Sequence, residues 1–219
     1  MSLQVAIALF PRFTALDGIG PYEVLQRIPE VDVTFVGHHC GEVRSENGFL
    51  GITADAEFEE IAHPDLLIFP GGVGTRPLVK DERVLHWVRT AHATTRFTTS
   101  VCTGSLVLGA AGLLDGLTAT THWAAYAELE AQGATPTAAR VVEHLDQRII
   151  TAAGVSSGID MALRLVELLF DDVAARACQL MIEYDPQPPF DSGSVAKAQA
   201  AADGDAVLQR VMAFAAHRQ

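Results

Sequence analysis

Short, uninterrupted apolar runs that alternate with helix-period segments constrain this chain more than any other feature. Residues 5–10 (Val-Ala-Ile-Ala-Leu-Phe) carry no polar side chain, the pattern of a strand buried on both faces. A turn through Asp17, Gly18, Gly20 and Pro21 then feeds a helix, and 31–36 reads as a second strand. Residues 65–69 form another, halted by Pro70-Gly71-Gly72. A helix is expected over 81–93, where Val84, Leu85 and Val88 make one stripe, then a strand over 96–101 and a helix over 103–114. A strand at 148–151 and a helix at about 158–170 complete the series. Strands alternating with helices across short connections imply right-handed βαβ units, so the expected fold class is α/β, a doubly wound sandwich with a mostly parallel central sheet. Residues 40–58 break the rhythm. Glu42-Val43-Arg44 and Phe49-Leu50-Gly51-Ile52, with Asn47-Gly48 between them, read as a small β-hairpin insertion.

At 219 residues the chain suits a single α/β domain, expected over 1–193, followed by a C-terminal helical extension over 194–219 that packs on the domain or on a dimer partner. Prolines at 186, 188 and 189 exclude a helix or central strand just before it, and the alanine-rich stretch 194–217 has high helix propensity. With 49% hydrophobic residues the chain can bury a large core, which excludes general disorder. Its formal net charge of −12 opposes binding to nucleic acid or an anionic membrane by bulk charge. Cys40, Cys102 and Cys178 are too few and too scattered for a disulfide framework. No apolar run is long enough to span a bilayer, and the first residues lack the basic stretch and cleavage site of a secretory signal, so a cytoplasmic protein is expected.

Chemistry concentrates at Thr98-Thr99-Ser100-Val101-Cys102-Thr103-Gly104-Ser105, where a β-rich run ends at a cysteine and small residues open an apolar helix. A cysteine in such an elbow projects from the carboxyl edge of the sheet beside a helix N-terminus, which favours thiolate. A buried core cysteine fits the same residues equally well. The strand ending at Phe69 runs into Pro70-Gly71-Gly72-Val73-Gly74, whose glycines let backbone N–H groups approach a ligand. Both segments end on the edge where open α/β folds bind ligands. Asp17 and Glu23 flank the first strand-to-helix turn; either carboxyl can reach that edge to move protons, whereas helix capping is the plainer role for Asp17.

Asp17-x-x-Gly20-Pro21, Pro70-Gly71-Gly72, the Ser100–Ser105 segment and Thr121-His122-Trp123, in this order, resemble the DJ-1/PfpI superfamily, and within it the isonitrile (isocyanide) hydratases. The likeness continues through Gly158-Ile159-Asp160 to Pro188-Pro189-Phe190. It implies a flavodoxin-like sandwich, a homodimer, no cofactor, and a reactive cysteine at the elbow. Residue by residue, Cys102 takes the place of the nucleophile and Asp17 that of the facing acid. Gly72 and Thr103, with Gly71 beside them, match positions whose backbone N–H groups form an anion site. Glu23 matches a position occupied by aspartate in the hydratases. The superfamily's proteases carry histidine directly after the cysteine; Thr103 stands here, which opposes peptidase activity. His122 and Trp123 are expected to support or line the pocket. The implied reaction adds water to an isonitrile, a small-molecule electrophile, to give an N-substituted formamide through a cysteine thioimidate. A ligand-sensing or redox and stress-response protein, or glyoxalase-like action on small carbonyls, are the alternatives. His38-His39-Cys40 lies at a strand end where neighbouring side chains diverge, so no metal site is expected. Cys178 is expected in the core, Trp87 in packing, and Arg76 in solvent.

Overall fold

The structure, a computed structural model, describes residues 2–216; His217, expected to close the last helix, lies outside them. The described chain divides into two compact units, one running to Ile182 and one from Glu183 onward, so the proline-rich segment falls in the second unit.

In chain order the first unit contains β1 (Leu3–Ala8), α1 (Ala15–Leu25), β2 (Val31–Gly37), the hairpin strands β3 (Gly41–Arg44) and β4 (Gly51–Ala54), β5 (Ala56–Glu57) and β6 (Leu66–Phe69). These are followed by α2 (Thr75–Leu78), α3 (Glu82–Thr94), β7 (Phe97–Val101), α4 (Gly104–Ala110), β8 (Thr118–Ala119) and α5 (Tyr126–Glu130). The series ends with β9 (Thr135–Pro136), β10 (Val141–His144), β11 (Ile149–Ala152), α6 (Ser157–Leu169) and α7 (Asp172–Met181). The central sheet has the order β10-β11-β7-β6-β1-β2-β5. Every pairing in it is parallel except β10 with β11. From β1 the chain adds strands first towards β5 and then, returning through β6, towards β10. The direction of winding therefore reverses between β1 and β6, and in this flavodoxin-like order the crevice at that reversal is the place where ligands bind.

The polar-free run at β1 is explained by its two faces. Leu3, Val5 and Ile7 point into a core shared with Val24 and Leu25 of α1 and with Met161, Ala162 and Leu165 of α6. Ala6 and Ala8 point the other way, into a core shared with Val84, Leu85 and Val88 of α3 and Leu106 to Leu108 of α4. The sheet is thus covered on both faces, the sandwich expected from the alternation. Trp87 fills the second core, its indole N–H donating to the Ile61 carbonyl at 2.9 Å, and Cys178 of α7 is buried in the first. The hairpin β3–β4 forms a two-stranded sheet of its own.

α4 is shorter than the sequence pattern suggested, and its end has an identifiable cause. Gly112 adopts a left-handed conformation (φ +82°) and donates to Gly109 O at 2.7 Å, while Leu113 donates to Leu108 O at 3.0 Å. This pair of bonds is the Schellman motif, which terminates a helix. The second unit holds α8 (Val195–Ala200) and α9 (Gly204–Ala216), so the alanine-rich stretch forms two helices.

Candidate active site

Cys102 follows the last residue of β7 and precedes α4 by one residue, with φ at +57°, a left-handed conformation that costs a non-glycine residue energy and recurs at functional turns. The surroundings hold it there. Its N–H is shared between the carbonyls of Ala152 (3.0 Å) and Ala153 (2.9 Å). Its carbonyl accepts from the hydroxyls of Ser105 (3.2 Å) and Thr121 (3.0 Å). The small residues of the motif are there because the turn is crowded: a Cβ on Gly104 would lie 2.0 Å from the Phe69 carbonyl oxygen, and one on Gly71 would lie 2.5 Å from the Thr103 nitrogen. The strand-to-helix elbow read from the sequence is present.

Asp17 enters from the first turn of α1 and is fully buried. It caps nothing. One oxygen, Oδ2, accepts the Gly71 N–H at 2.9 Å, and the carboxyl faces the Cys102 thiol. Oδ1 is buried without a hydrogen-bond partner among the described residues. Burial pushes the Asp17 carboxyl up to about 8; the Gly71 and Cys102 hydrogen bonds partly oppose this, and the negative charge of Glu46 adds to it. Burial likewise pushes the Cys102 thiol up, with the charge of Asp17 second. The cysteine is only 5% exposed, and burial raises both the thiol and the carboxyl, so the pair resists the ionisation expected at the elbow. Desolvation outweighs the nearby helix end.

The backbone donors divide their work in a way the sequence did not predict. Thr103 N–H lies beside the sulfur, and its companion there is Val155 N–H, from the loop just ahead of α6. Gly72 N–H donates to the Thr103 hydroxyl at 2.9 Å, and Gly71 N–H is taken by Asp17, so neither glycine is a free anion donor. Both hold the elbow and its acid in place instead. Thr103 Oγ1 also donates to the Gly72 carbonyl at 3.1 Å. The buried corner near the winding reversal thus brings together a cysteine, a carboxyl and two N–H groups beside the sulfur, a set suited to covalent addition with proton transfer.

The model of the DJ-1/PfpI family matches residues 3–168. The chain belongs to the DJ-1/PfpI family. Over 194 residues it is 46% identical to a protein named isonitrile hydratase from Pseudomonas putida, spanning 89% of this chain and 84% of that one. The crystal structure of a ThiJ/PfpI family protein from Pseudomonas syringae superimposes with a TM-score of 0.89 at 36% identity, covering 100% of this chain and 89% of the other. An HTH-type transcriptional regulator, GbdR, of Pseudomonas aeruginosa (strain UCBPP-PA14) shares 35% identity over 119 residues, 53% of this chain and 32% of the regulator.

The remaining candidates fall at varying distances from this DJ-1/PfpI site. Glu23 is corrected: it is partly exposed on α1, and its carboxylate is engaged by Arg27 and Gln26. His122 rests on the loop that supplies the Val155 N–H, so closely that a Cβ on Gly154 would meet its ring at 2.9 Å. Its Nδ1 accepts from the Ala124 N–H at 3.3 Å, and burial, then the charge of Arg76, lower its pKa, while the charge of Glu46 opposes them. Trp123 packs on it with ring centroids 5.2 Å apart. Arg76, expected in solvent, is bidentate to Glu128 at 2.8 and 2.9 Å and also donates to the Gly72 carbonyl. His38 binds Asp81 and His39 binds Glu57, so each imidazole of the His-His-Cys run has a carboxylate partner. Two contributors escaped the sequence reading, Val155 and Glu46. Neither belongs to a motif, although the Ala153-Gly154 sequence after β11 repeats the strand-then-glycine pattern that marked the other two edge loops.

Proposed function

We propose that this protein hydrates organic isonitriles to N-substituted formamides, with Cys102 as nucleophile and Asp17 as general acid and base. The observation that carries the reading is the buried carboxyl of Asp17 against the Cys102 thiol at the elbow, with Thr103 and Val155 N–H groups on the sulfur. The 46% identity to an isonitrile hydratase over most of both chains supports it.

The protonated pair suits this substrate. A free isonitrile carbon is a poor electrophile until it gains a proton, and a carboxyl with a raised pKa still carries one at neutral pH. Asp17 delivers its proton to the terminal carbon as the sulfur forms the C–S bond, and the thiol proton passes to the carboxylate just vacated. The product is a thioimidate, R–N=CH–S–Cys102, beside a reprotonated Asp17. Water then adds to the imidate carbon, giving a proton to Asp17 while Asp17 protonates the nitrogen. The tetrahedral adduct expels the sulfur, whose charge the two N–H groups receive; the hydroxyl proton returns to it through Asp17. Formamide leaves, and thiol and carboxyl end as they began. Only this chain's groups and one water are used. A linear isonitrile also presents a narrow reacting end, which suits a cysteine as enclosed as this one.

Kinetics with p-nitrophenyl isocyanide test the reading. Cys102→Ala is expected to abolish hydration, and Asp17→Asn to slow it by about 10²–10⁴-fold, the usual weight of acid–base catalysis. Wild-type turnover in Cys102→Ala would overturn the mechanism. The similarity to GbdR supports a second reading, a sensor that binds without turnover; tight calorimetric binding of isonitriles with no formamide formed would favour it. Redox signalling is less well supported, because oxidation needs thiolate and the site withholds it. We also propose a homodimer in the cytoplasm. Apolar side chains exposed on α1 (Leu16) and α7 (Val173, Leu180, Met181) offer surface for association, and light scattering tests it.

A further inference from the structure

A bridge of chain is tied to the elbow at one end and to the loop after β6 at the other. At its start, the Thr121 hydroxyl donates to the Cys102 carbonyl at 3.0 Å. The chain then runs through His122, a 3₁₀ turn at Trp123–Ala125 and α5, which carries Glu128. Arg76 of α2 meets that carboxylate with two bonds, Nε to Oε2 at 2.9 Å and Nη2 to Oε1 at 2.8 Å. The third guanidinium nitrogen, Nη1, donates to the Gly72 carbonyl at 3.2 Å. Gly72 N–H in turn donates to the hydroxyl of Thr103, the residue after Cys102, at 2.9 Å. The contacts close a ring through Cys102, Thr103, Gly72, Arg76, Glu128 and Thr121. The bridge also reaches the other neighbour of β7: a Cβ on Gly154, in the loop after β11, would lie 2.9 Å from the His122 ring. It therefore spans the two loops that flank the elbow, since β7 pairs with β6 on one side and β11 on the other.

The geometry points to Arg76 and Glu128 as a latch: positioning residues that hold the bridge bearing His122 and Trp123 against the loop after β6, and so fix how wide a molecule can reach Cys102. The effect of the latch on turnover rests on the hydratase reading; its effect on access to the thiol does not. A partly exposed ion pair by itself contributes little, because water screens it and two long side chains must be ordered. Here all three nitrogens of one planar guanidinium are engaged, and the paired residues are 52 apart in sequence, so the pair sets the spacing between two separate segments. Thr121 still tethers the bridge to the elbow when Glu128 is released, so the expected change is a widening rather than a loss of structure. The Gly72 carbonyl likewise keeps other donors, the hydroxyls of Thr75 at 2.8 Å and Thr103 at 3.1 Å, so removing Arg76 loosens it without stranding it.

The test compares wild type, Arg76→Lys, Arg76→Gln and Glu128→Gln in the full chain, with Arg164→Gln as control. The control breaks a different bidentate pair, from α6 to Glu143 of β10 at 2.9 and 3.1 Å. Arg76 and Glu128 are 41% and 43% exposed, so their variants are expected to fold. One readout is the rate of Cys102 alkylation by N-phenylmaleimide divided by the rate with iodoacetamide, followed on the peptide containing Cys102 so that the exposed Cys40 does not contribute. Both reagents consume the same thiolate, so the ratio cancels any change in ionisation and reports width. It is expected to rise about two- to fivefold in Arg76→Gln and Glu128→Gln, the weight of a partly exposed ion pair, and to match wild type in Arg164→Gln. Arg76→Lys keeps the charge without the planar fork, so a latch makes it behave like Arg76→Gln. The other readout is the kinetics with p-nitrophenyl isocyanide. Glu128→Gln is expected to raise KM by a similar factor with kcat near wild type, whereas the Arg76 variants, which also release the Gly72 carbonyl, lose kcat as well. An unchanged ratio in Arg76→Gln and Glu128→Gln overturns the proposal, as does an equal rise in Arg164→Gln. A wild-type ratio in Arg76→Lys overturns it too, since the charge felt by His122 would then matter and the fork would not. A raised ratio with no hydration by any of the proteins supports the latch and discards the hydratase reading.

Discussion

Asp17 lies fully buried with its carboxyl against the thiol of Cys102, the two arriving from either side of β6, one from α1 after β1 and the other from the elbow after β7. Neither group is exceptional by itself. Burial raises the pKa of both above its ordinary value, which favours a stock of protons at the site.

That stock sets the pH dependence of turnover. The mechanism starts from the protonated carboxyl, and the Asp17 pKa is raised from its ordinary value to about 8. Activity is therefore present below that value and lost as pH rises through it. The expected kcat/KM profile is flat through neutrality and falls about tenfold per pH unit above its limb. A rate that rises from pH 7 to pH 9, as a simple thiolate nucleophile would give, contradicts the protonated resting pair.

Folding stability responds to the same group. In the unfolded chain Asp17 ionises near its ordinary carboxylate value, while in the folded protein it stays protonated to about 8. Between these two values the native state binds the extra proton, so stability falls as pH rises across the window and levels off above it. Asp17→Asn removes the carboxyl while keeping an acceptor for the Gly71 N–H. Chemical denaturation is expected to show the variant more stable than wild type by a few kcal/mol, order of magnitude, at pH 8, with the gap closing towards pH 4. A gap independent of pH would mean that Asp17 is already ionised in the folded state.

The fold and half of the site could be read along the chain because their causes are local. Residues 5–10 and 65–69 announce strands through their own composition, and Cys102 announces an elbow through Thr103, Gly104 and Ser105, which fit where nothing larger does. The divided labour of Gly71 and Gly72 was hidden, because which donor is free depends on whether Asp17 and the Thr103 hydroxyl arrive first. Val155 was hidden for a related reason: its N–H reaches the sulfur only because β11 pairs with β7 and sets Ala152 beside Val101. The protonation of the thiol depends on how completely the layers cover it, a property of the assembled sandwich.

Thr103 offers a test of the interlock between the two edge loops. Its hydroxyl oxygen accepts the Gly72 N–H and lies 3.2 Å from the Thr75 hydroxyl, while its N–H serves the sulfur. Thr103→Ser keeps both functions and is expected to retain near wild-type kcat. Thr103→Val fills the same volume but strands the buried Gly72 N–H, which costs about 1–3 kcal/mol. Thermal unfolding should show the loss in the valine variant only, accompanied by a fall in kcat as the loop bearing Asp17's hydrogen-bond donor shifts.

Gly71 joins all of these contacts, and its substitution should separate folding from chemistry. A Cβ at this position would sit 2.5 Å from the Thr103 nitrogen and 2.8 Å from Cys102 Cβ, so the elbow must move for Gly71→Ala to fold. The sandwich is anchored elsewhere, by the two cores on either side of β1 and β6, and overpacking of this size typically costs about 1–3 kcal/mol, which a domain of this kind survives. Catalysis tolerates less, since displacing the nucleophile or the Asp17 hydrogen bond by about an ångström can cost about 10²-fold. Gly71→Ala is therefore expected to purify folded, unfold cooperatively at a temperature several degrees lower, and lose at least about 10²-fold in kcat/KM. Gly193→Ala, where an added Cβ meets nothing within 4 Å, serves as the control and should match wild type in both measurements. A Gly71→Ala enzyme with wild-type turnover would show that the elbow has room that the geometry denies it, and would separate the position of Cys102 from the loop on which Asp17 depends.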